Sequence, residues 1–355
     1  MKNVKEPSMI VKKTNILIAI GILSAILGFF AVVRWPRNER TDQQKQSPDT
    51  TNKAPWVEAY ILSKRPALER LVKQETQLEE NTRHLVQQIY LETLESADHY
   101  LKDPQAYIDN LINFALQNNK LKYHVVAGII GREHLPYLKD LLQDRNYIAQ
   151  WPSIALIIGY MGAGKEGADI LMDYFVRDDF TEPLDSNTRF LLLNTKLSAL
   201  RSMVLTGDTT YNDILSRALT PAGAEHLAPW INNPLSYGGK IDVPGREQYL
   251  GRILQDAAIN LYMCGTEEDK ITIRNLYEKE RALVRQPDWT LQSLQRRQGL
   301  FNALVIGEFM DLFSAEEYYY AFASIDTSNP DYPLLWNTNA SIYHNTYSEI
   351  MGKYR

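Results

Sequence analysis

From Ile16 to Val33 the chain runs for 18 residues without a charge and is then closed by Arg34 and Trp35. As a helix rising about 1.5 Å per residue, that run spans roughly 27 Å, close to the thickness of a bilayer core. It predicts a transmembrane helix over residues 16–35, with a short tail, residues 1–15, on one side and the bulk of the chain on the other. Lys2, Lys5, Lys12 and Lys13 precede the run, and Trp35 stands where an interfacial aromatic residue belongs. A cleaved signal peptide is the rival reading. Its apolar region is usually shorter and followed by a small-x-small site, which Ala31-Val32-Val33-Arg34 does not supply. Four lysines plus the amino terminus, against Arg34, Arg37 and Arg40, place the N-terminus inside and the bulk outside. In a bacterium this is an inner-membrane protein with its C-terminal domain in the periplasm. Ser24 and Gly28 form a small-x-x-x-small pair through which two anchors can associate weakly.

Residues 36–55 read as a flexible polar linker, since between Asn38 and Pro55 only Ala54 is aliphatic. The remaining 300 or so residues suit two compact domains or one extended array. Their charge narrows the partners. Residues 1–40 hold seven Lys/Arg against Glu6 and Glu39, a net of +5, while the whole chain is −5, so residues 41–355 total −10. An acidic body is a poor nucleic-acid binder, because phosphate neutralisation by Lys and Arg supplies most non-specific affinity. Nucleic acid is not an expected partner. Cys264 is the only cysteine, so an intrachain disulfide and cysteine-based zinc sites are excluded.

Beyond Trp56 the apolar spacing is helical. Leu68, Leu71, Leu78, Leu85, Ile89, Leu91 and Leu94 predict one or two long helices within an N-terminal helical segment, residues 56–120. Asp103-Pro104 is a helix start, with the Asp placed to cap and the Pro in the first turn. Over residues 121–325 one design recurs: an apolar helix, a turn containing glycine, and a second amphipathic helix. The units are 125–142, 154–175, 197–219 and 253–277, with a degenerate fifth over 299–323. Counting from the turn glycine, an apolar residue returns at +7 or +8 and at +11. Gly131 gives Leu138 and Leu142, Gly164 gives Leu171 and Phe175, Gly207 gives Ile214 and Ala218, and Gly265 gives Ile273 and Leu276. Glycine is expected to end the first helix with positive φ, and Thr266 with Asp269 is a version of the capping box for the next. Two such helices cannot cover their own apolar faces, so pairs must stack.

These segments, above all Ile154 to Phe175 with its Ala-Leu-Ile-Ile-Gly-Tyr-Met-Gly first helix and turn, resemble HEAT-type (armadillo-like) helical repeats. The resemblance covers 150 to 200 residues and implies an all-α fold, an α-solenoid of antiparallel helix pairs preceded by one transmembrane helix. It implies protein binding and brings no catalytic residues and no cofactor.

One stretch breaks the pattern. Pro221 to Gly245 holds four Pro, four Gly and the Asn232-Asn233 pair, and predicts a loop over residues 221–250 inserted between the third and fourth units. Its Trp230, Ile231, Leu235 and Tyr237 support two readings, a loop packed on the array or a contact for a partner. The Tyr-rich C-terminal segment, residues 326–355, likewise reads as a cap on the open end or as an interface, and Tyr318, Tyr319 and Tyr320 precede it.

Catalytic signatures are weak. Gly159 to Lys165 fits G-x-x-x-x-G-K, but Glu166 follows where a phosphate loop needs Ser or Thr, and no βαβ series accompanies it. The six histidines show no ligand spacing, no G-x-S-x-G occurs, and Cys264 falls on an apolar helix. Asp178-Asp179 and Glu267-Glu268-Asp269 sit at turns or helix starts, where acids favour the dipole. No catalytic, cofactor-binding or metal-binding residue is therefore named. The expectation is a membrane-anchored scaffold or adaptor that binds another protein. Its alternative is an enzyme that binds or hydrolyses an envelope glycan with a site assembled from non-adjacent carboxylates.

Overall fold

A computed structural model describes residues 96–113, 127–313 and 341–354. The expected anchor Ile16–Val33 with Ser24 and Gly28, the linker 36–55, residues 56–95 and the aromatic stretch 314–340 lie outside the described residues. Among the described residues every regular element is a helix, and none is long and apolar enough to cross a membrane.

The eleven helices with defined limits are α1 (Pro104–Asn113), α2 (Leu135–Leu141), α3 (Trp151–Tyr160), α4 (Lys165–Val176), α5 (Ser186–Thr206), α6 (Asn212–Arg217), α7 (Pro221–Leu227), α8 (Val243–Cys264), α9 (Glu267–Val284), α10 (Leu291–Leu312) and α11 (Ser341–Tyr354). Asp103 caps α1 as the sequence predicts, accepting the Ala106 N–H at 3.0 Å. The capping box of α9 also forms. Thr266 Oγ1 accepts the Asp269 N–H at 3.2 Å, and the Thr266 N–H donates to Asp269 Oδ2 at 2.7 Å.

The helices pack in order. α3 lies against α5, α5 against α8, and α8 against α10, while α4, α6, α9 and α11 each cover members of that row. This arrangement is consistent with a helical repeat. α5, contacted by α3, α4 and α8, carries buried apolar residues all round: Leu192, Leu193, Leu197, Ala199, Leu200 and Met203. α8 and α10 approach each other closely, and small residues permit it. A Cβ at Gly299 would collide with the Gly251 carbonyl oxygen, and one at Gly307 would run into the Tyr262 ring.

Six of the eight spaced apolar positions are buried: Leu138, Leu142, Leu171, Phe175, Ala218 and Ile273. Ile214 is 39% exposed, and its neighbour Leu215 is buried instead. The turn after Gly207 runs to Tyr211 before α6 begins, and the residue α6 turns to the core is Leu215, one place on. The turn glycines also differ in their reasons. Gly207 is left-handed, at φ 69°, and ends α5 as expected. Gly131 and Gly265, at φ −72° and −92°, are not left-handed. At Gly265 the constraint is close approach, since a Cβ would meet the Leu261 carbonyl oxygen.

Residues 221–250, read from the sequence as a loop, are mostly helical. They hold α7, two 3-10 turns (Pro229–Asn232 and Pro234–Tyr237) and the start of α8 at Val243. Each of the four prolines stands in a first helical turn, where a missing N–H costs nothing. They begin elements here and do not mark irregular chain.

Candidate functional site

The residues expected to meet a partner are brought together, but mainly facing inward. Trp230 and Ile231 are fully buried, Leu235 is partly buried against the core, and Tyr237 is partly buried beside the Tyr249 ring. The Trp230 indole packs edge-on against Phe175 and Tyr249, with ring centroids 5.9 and 6.3 Å away. Ser236 Oγ donates to the Trp230 carbonyl at 2.6 Å, and the Tyr237 hydroxyl donates to that of Ile231 at 3.0 Å. These bonds fold the two 3-10 turns onto each other.

What the segment closes is the C-terminal end of α4. The last carbonyls of a helix have no partner inside it and must find one elsewhere. Trp230 Nε1–H donates to the Phe175 carbonyl at 2.9 Å. The ammonium of Lys196, on α5, donates to the Tyr174 carbonyl at 3.0 Å, to that of Arg177, and to Asp179 Oδ2 at 2.9 Å. Asn233 Nδ2 adds bonds to Asp178 Oδ2 at 2.9 Å and to the Phe180 carbonyl at 2.8 Å. The same device recurs at the end of α2, where Trp151 Nε1–H donates to the Leu141 carbonyl at 2.7 Å.

Lys196 was invisible to motif reading. Its side chain is 0% exposed, it lies 4.9 Å over the Tyr174 ring, and all three of its donors meet acceptors. Burial pushes its pKa down to about 8, with Asp179 opposing the shift. Burial also raises the pKa of the Tyr174 hydroxyl, and Asp179 adds to that rise. Asp178 and Asp179 do stand at a turn, but one that follows a helix C-terminus, where the dipole disfavours acids. Lys196 and Arg177 supply the compensation, Arg177 Nε donating to Asp179 Oδ1 at 2.6 Å. The signal was present in the sequence as a lone lysine among Leu192, Leu193, Leu197 and Leu200, a stripe that otherwise reads as core. Beside this cluster a depression of about 340 Å³ is lined by Lys139, Gln143, Asp173, Tyr174 and Arg177.

A second depression, of about 280 Å³, lies where α8, α9, α10 and α11 meet. Its lining holds two carboxylates, Glu308 and Asp311. Both serve as counterions. Glu308 is bound by Lys353 at 3.0 Å, faces Arg274 at 3.7 Å and accepts from the Tyr354 hydroxyl. Asp311 faces Lys270 at 3.6 Å and accepts from the Tyr262 hydroxyl at 3.2 Å.

The phosphate-loop lookalike is a helix–turn–helix. Gly159 lies inside α3, packed against Ser202, and Lys165 is exposed and paired with Asp169 at 2.7 Å. Glu133 and His134 lie in a 3-10 turn. Cys264 ends α8, and burial raises its thiol pKa above the ordinary value. Among the described residues no three His, Cys, Asp or Glu side chains gather as a metal site. Compared with known proteins, the chain matches no family model, no curated protein and no solved structure.

Proposed function

We propose that the chain is a membrane-tethered scaffold: a HEAT-like α-solenoid, anchored by Ile16–Val33, that binds another protein on the outer side of a bacterial inner membrane. The observation that carries this reading is the row α3, α5, α8 and α10, stacked side by side with shorter or amphipathic helices laid over it. Stacked rows of this kind present long surfaces to other chains. Exposed apolar side chains add support. Leu283, Trp289 and Leu291 are 41%, 47% and 36% exposed and fall within residues 283–291, at the α9–α10 turn. Trp is over-represented among interface anchors. In the 221–250 segment, Leu235 and Tyr237 are the members of the expected contact set with surface to offer.

Cross-linking the full-length protein in its native membranes, followed by identification of what co-purifies, tests the reading. A stoichiometric protein partner that is lost on Trp289→Ala or on removal of the helical body supports it. Recovery of the chain alone, at a depth that captures known complexes, refutes it.

A further inference from the structure

α11 is the last described helix, and it lies against α10. Among its described residues, the last turn holds it to the body. Ile350 and Tyr354 are buried, while Ser348, Glu349, Gly352 and Lys353 are exposed. The Tyr354 ring stands edge-on to Tyr277 of α9, with 5.5 Å between centroids, and the Tyr277 hydroxyl donates to the Tyr354 carbonyl. The Tyr354 hydroxyl donates to Glu308 of α10, which Lys353 also reaches, at 3.0 Å. Ile350, Lys353 and Tyr354 are spaced i, i+3 and i+4, so they share one side of the helix. That side meets a receptor built by Tyr277 and Glu308.

The receptor is wider than the helix that occupies it. A depression of about 280 Å³ remains, walled by Ile350 and Lys353 of α11 on one side and by Tyr262, Arg274, Asp311 and Leu312 on the other. Leu312 is 62% exposed, and the Arg274 and Asp311 side chains are half-exposed. A helix held by its last turn, beside an apolar residue it does not cover, is bound less firmly than one buried along its length.

We propose that this end of α9 and α10 is a docking site for an amphipathic helix of a partner protein, with α11 as its built-in competitor. The partner helix carries the pattern of α11: an aliphatic residue, a cation three residues on and a tyrosine four residues on. A further apolar side chain covers Leu312. The Glu308 side chain is only 14% exposed, and bonds to a shielded carboxylate are stronger than those between neutral groups. Glu308 therefore selects a basic, hydroxyl-bearing helix end over an acidic one. Residues 314–340 join α10 to α11, so α11 competes at high effective concentration, and the partner binds only the fraction of molecules that α11 has left. This site belongs to the scaffold reading, but peptide binding to it is measured without capturing any partner, so either can fail alone.

A fluorescein-labelled peptide of residues 341–355 serves as the probe, titrated by anisotropy against the full chain in detergent micelles. Wild type, Lys353→Ala and Tyr354→Ala are compared, since both substitutions weaken the resident helix and leave Tyr277 and Glu308 in place. Affinity is expected to rise in that order, about tenfold or more from wild type to Tyr354→Ala. Adding Glu308→Gln to Tyr354→Ala should lower it again, about tenfold. Lys353→Ala removes a single exposed cation, so it decides the matter if Tyr354→Ala does not fold. Equal affinity for all the chains, or no saturable binding to either variant, overturns the proposal. A concentration-dependent dimer of wild type that Tyr354→Ala abolishes also overturns it, because the occupant would then be the α11 of a second copy.

Discussion

Replacing Lys196 with Met keeps the volume of the stem and removes one ammonium from the end of α4. Three acceptors lose their donor: the Tyr174 and Arg177 carbonyls and Asp179 Oδ2. Asp179 is 18% exposed and keeps Arg177, so its share of the loss is small. The two carbonyls account for most of it, at roughly 1–3 kcal/mol for each buried acceptor left unpaired. The sum, about 3–5 kcal/mol, matches the usual cost of removing one partner of a buried ion pair. A loss of that size lowers the melting temperature by roughly 10 °C in a body of this length. The penalty also has a pH dependence with a definite sign. The folded pKa of Lys196, about 8, lies below the ordinary 10.5. The unfolded chain therefore binds the proton more tightly, and wild-type stability rises with pH between those two values. Met has no such term, so the difference between wild type and variant should widen above pH 8, by up to about 2 kcal/mol at pH 9.5. Urea denaturation of both proteins at pH 7.5 and 9.5, followed by far-UV circular dichroism, measures it. A penalty below about 1 kcal/mol, or one that shrinks as pH rises, would refute the account of Lys196 as the closing group of α4.

Three further outcomes follow from packing. Arg296 donates to Glu280 at 2.7 Å and to the Leu219 carbonyl at 3.0 Å, tying α9, α10 and the end of α6 together. Arg296→Met should cost about 3–5 kcal/mol in denaturant, and adding Glu280→Leu should recover part of it, because the lone carboxylate goes too. Gly299→Ala should cost about 1–3 kcal/mol by the same assay, since the new methyl meets the Gly251 backbone and cannot be accommodated by a rotamer change. Tyr354, 8% exposed, bonds Glu308 through its hydroxyl and receives the Tyr277 hydroxyl on its carbonyl. Tyr354→Ala should raise hydrogen exchange in α11 while leaving α5 protected.

The helical class was legible because apolar spacing and caps are local. Asp103 and Thr266 cap where their sequence context says, and most of the glycine-spaced apolar residues are core. Phase errors enter where a turn lengthens, as between Gly207 and α6. The segment around Trp230 failed for a different reason. Proline and glycine density was taken as loop, whereas each proline starts a helical turn, a distinction set by what lies before it and by tertiary packing. An aromatic cluster in sequence does not state whether its rings face solvent, and the indole of Trp230 finds its acceptor 55 residues away. Lys196 stood out only as a lone lysine in an apolar stripe, and neither its partners nor the setting of Arg252 could be read locally, since both arise from helices distant in sequence.

Those two side chains give the clearest physical contrast in the molecule. Both are cations on the central pair α5 and α8, but only Lys196 is fully withdrawn from water. Lys196 spends every donor on internal acceptors, so its removal should be felt as lost stability and nothing else. Arg252 has no internal acceptor, so the fold should do as well without it. The two substitutions therefore test one another. If Lys196→Met and Arg252→Gln lowered the melting temperature alike, the internal bonds of Lys196 would not be what sets its worth to the fold. If only the first did, burial with every donor satisfied would be what separates a supporting cation from a solvated one here.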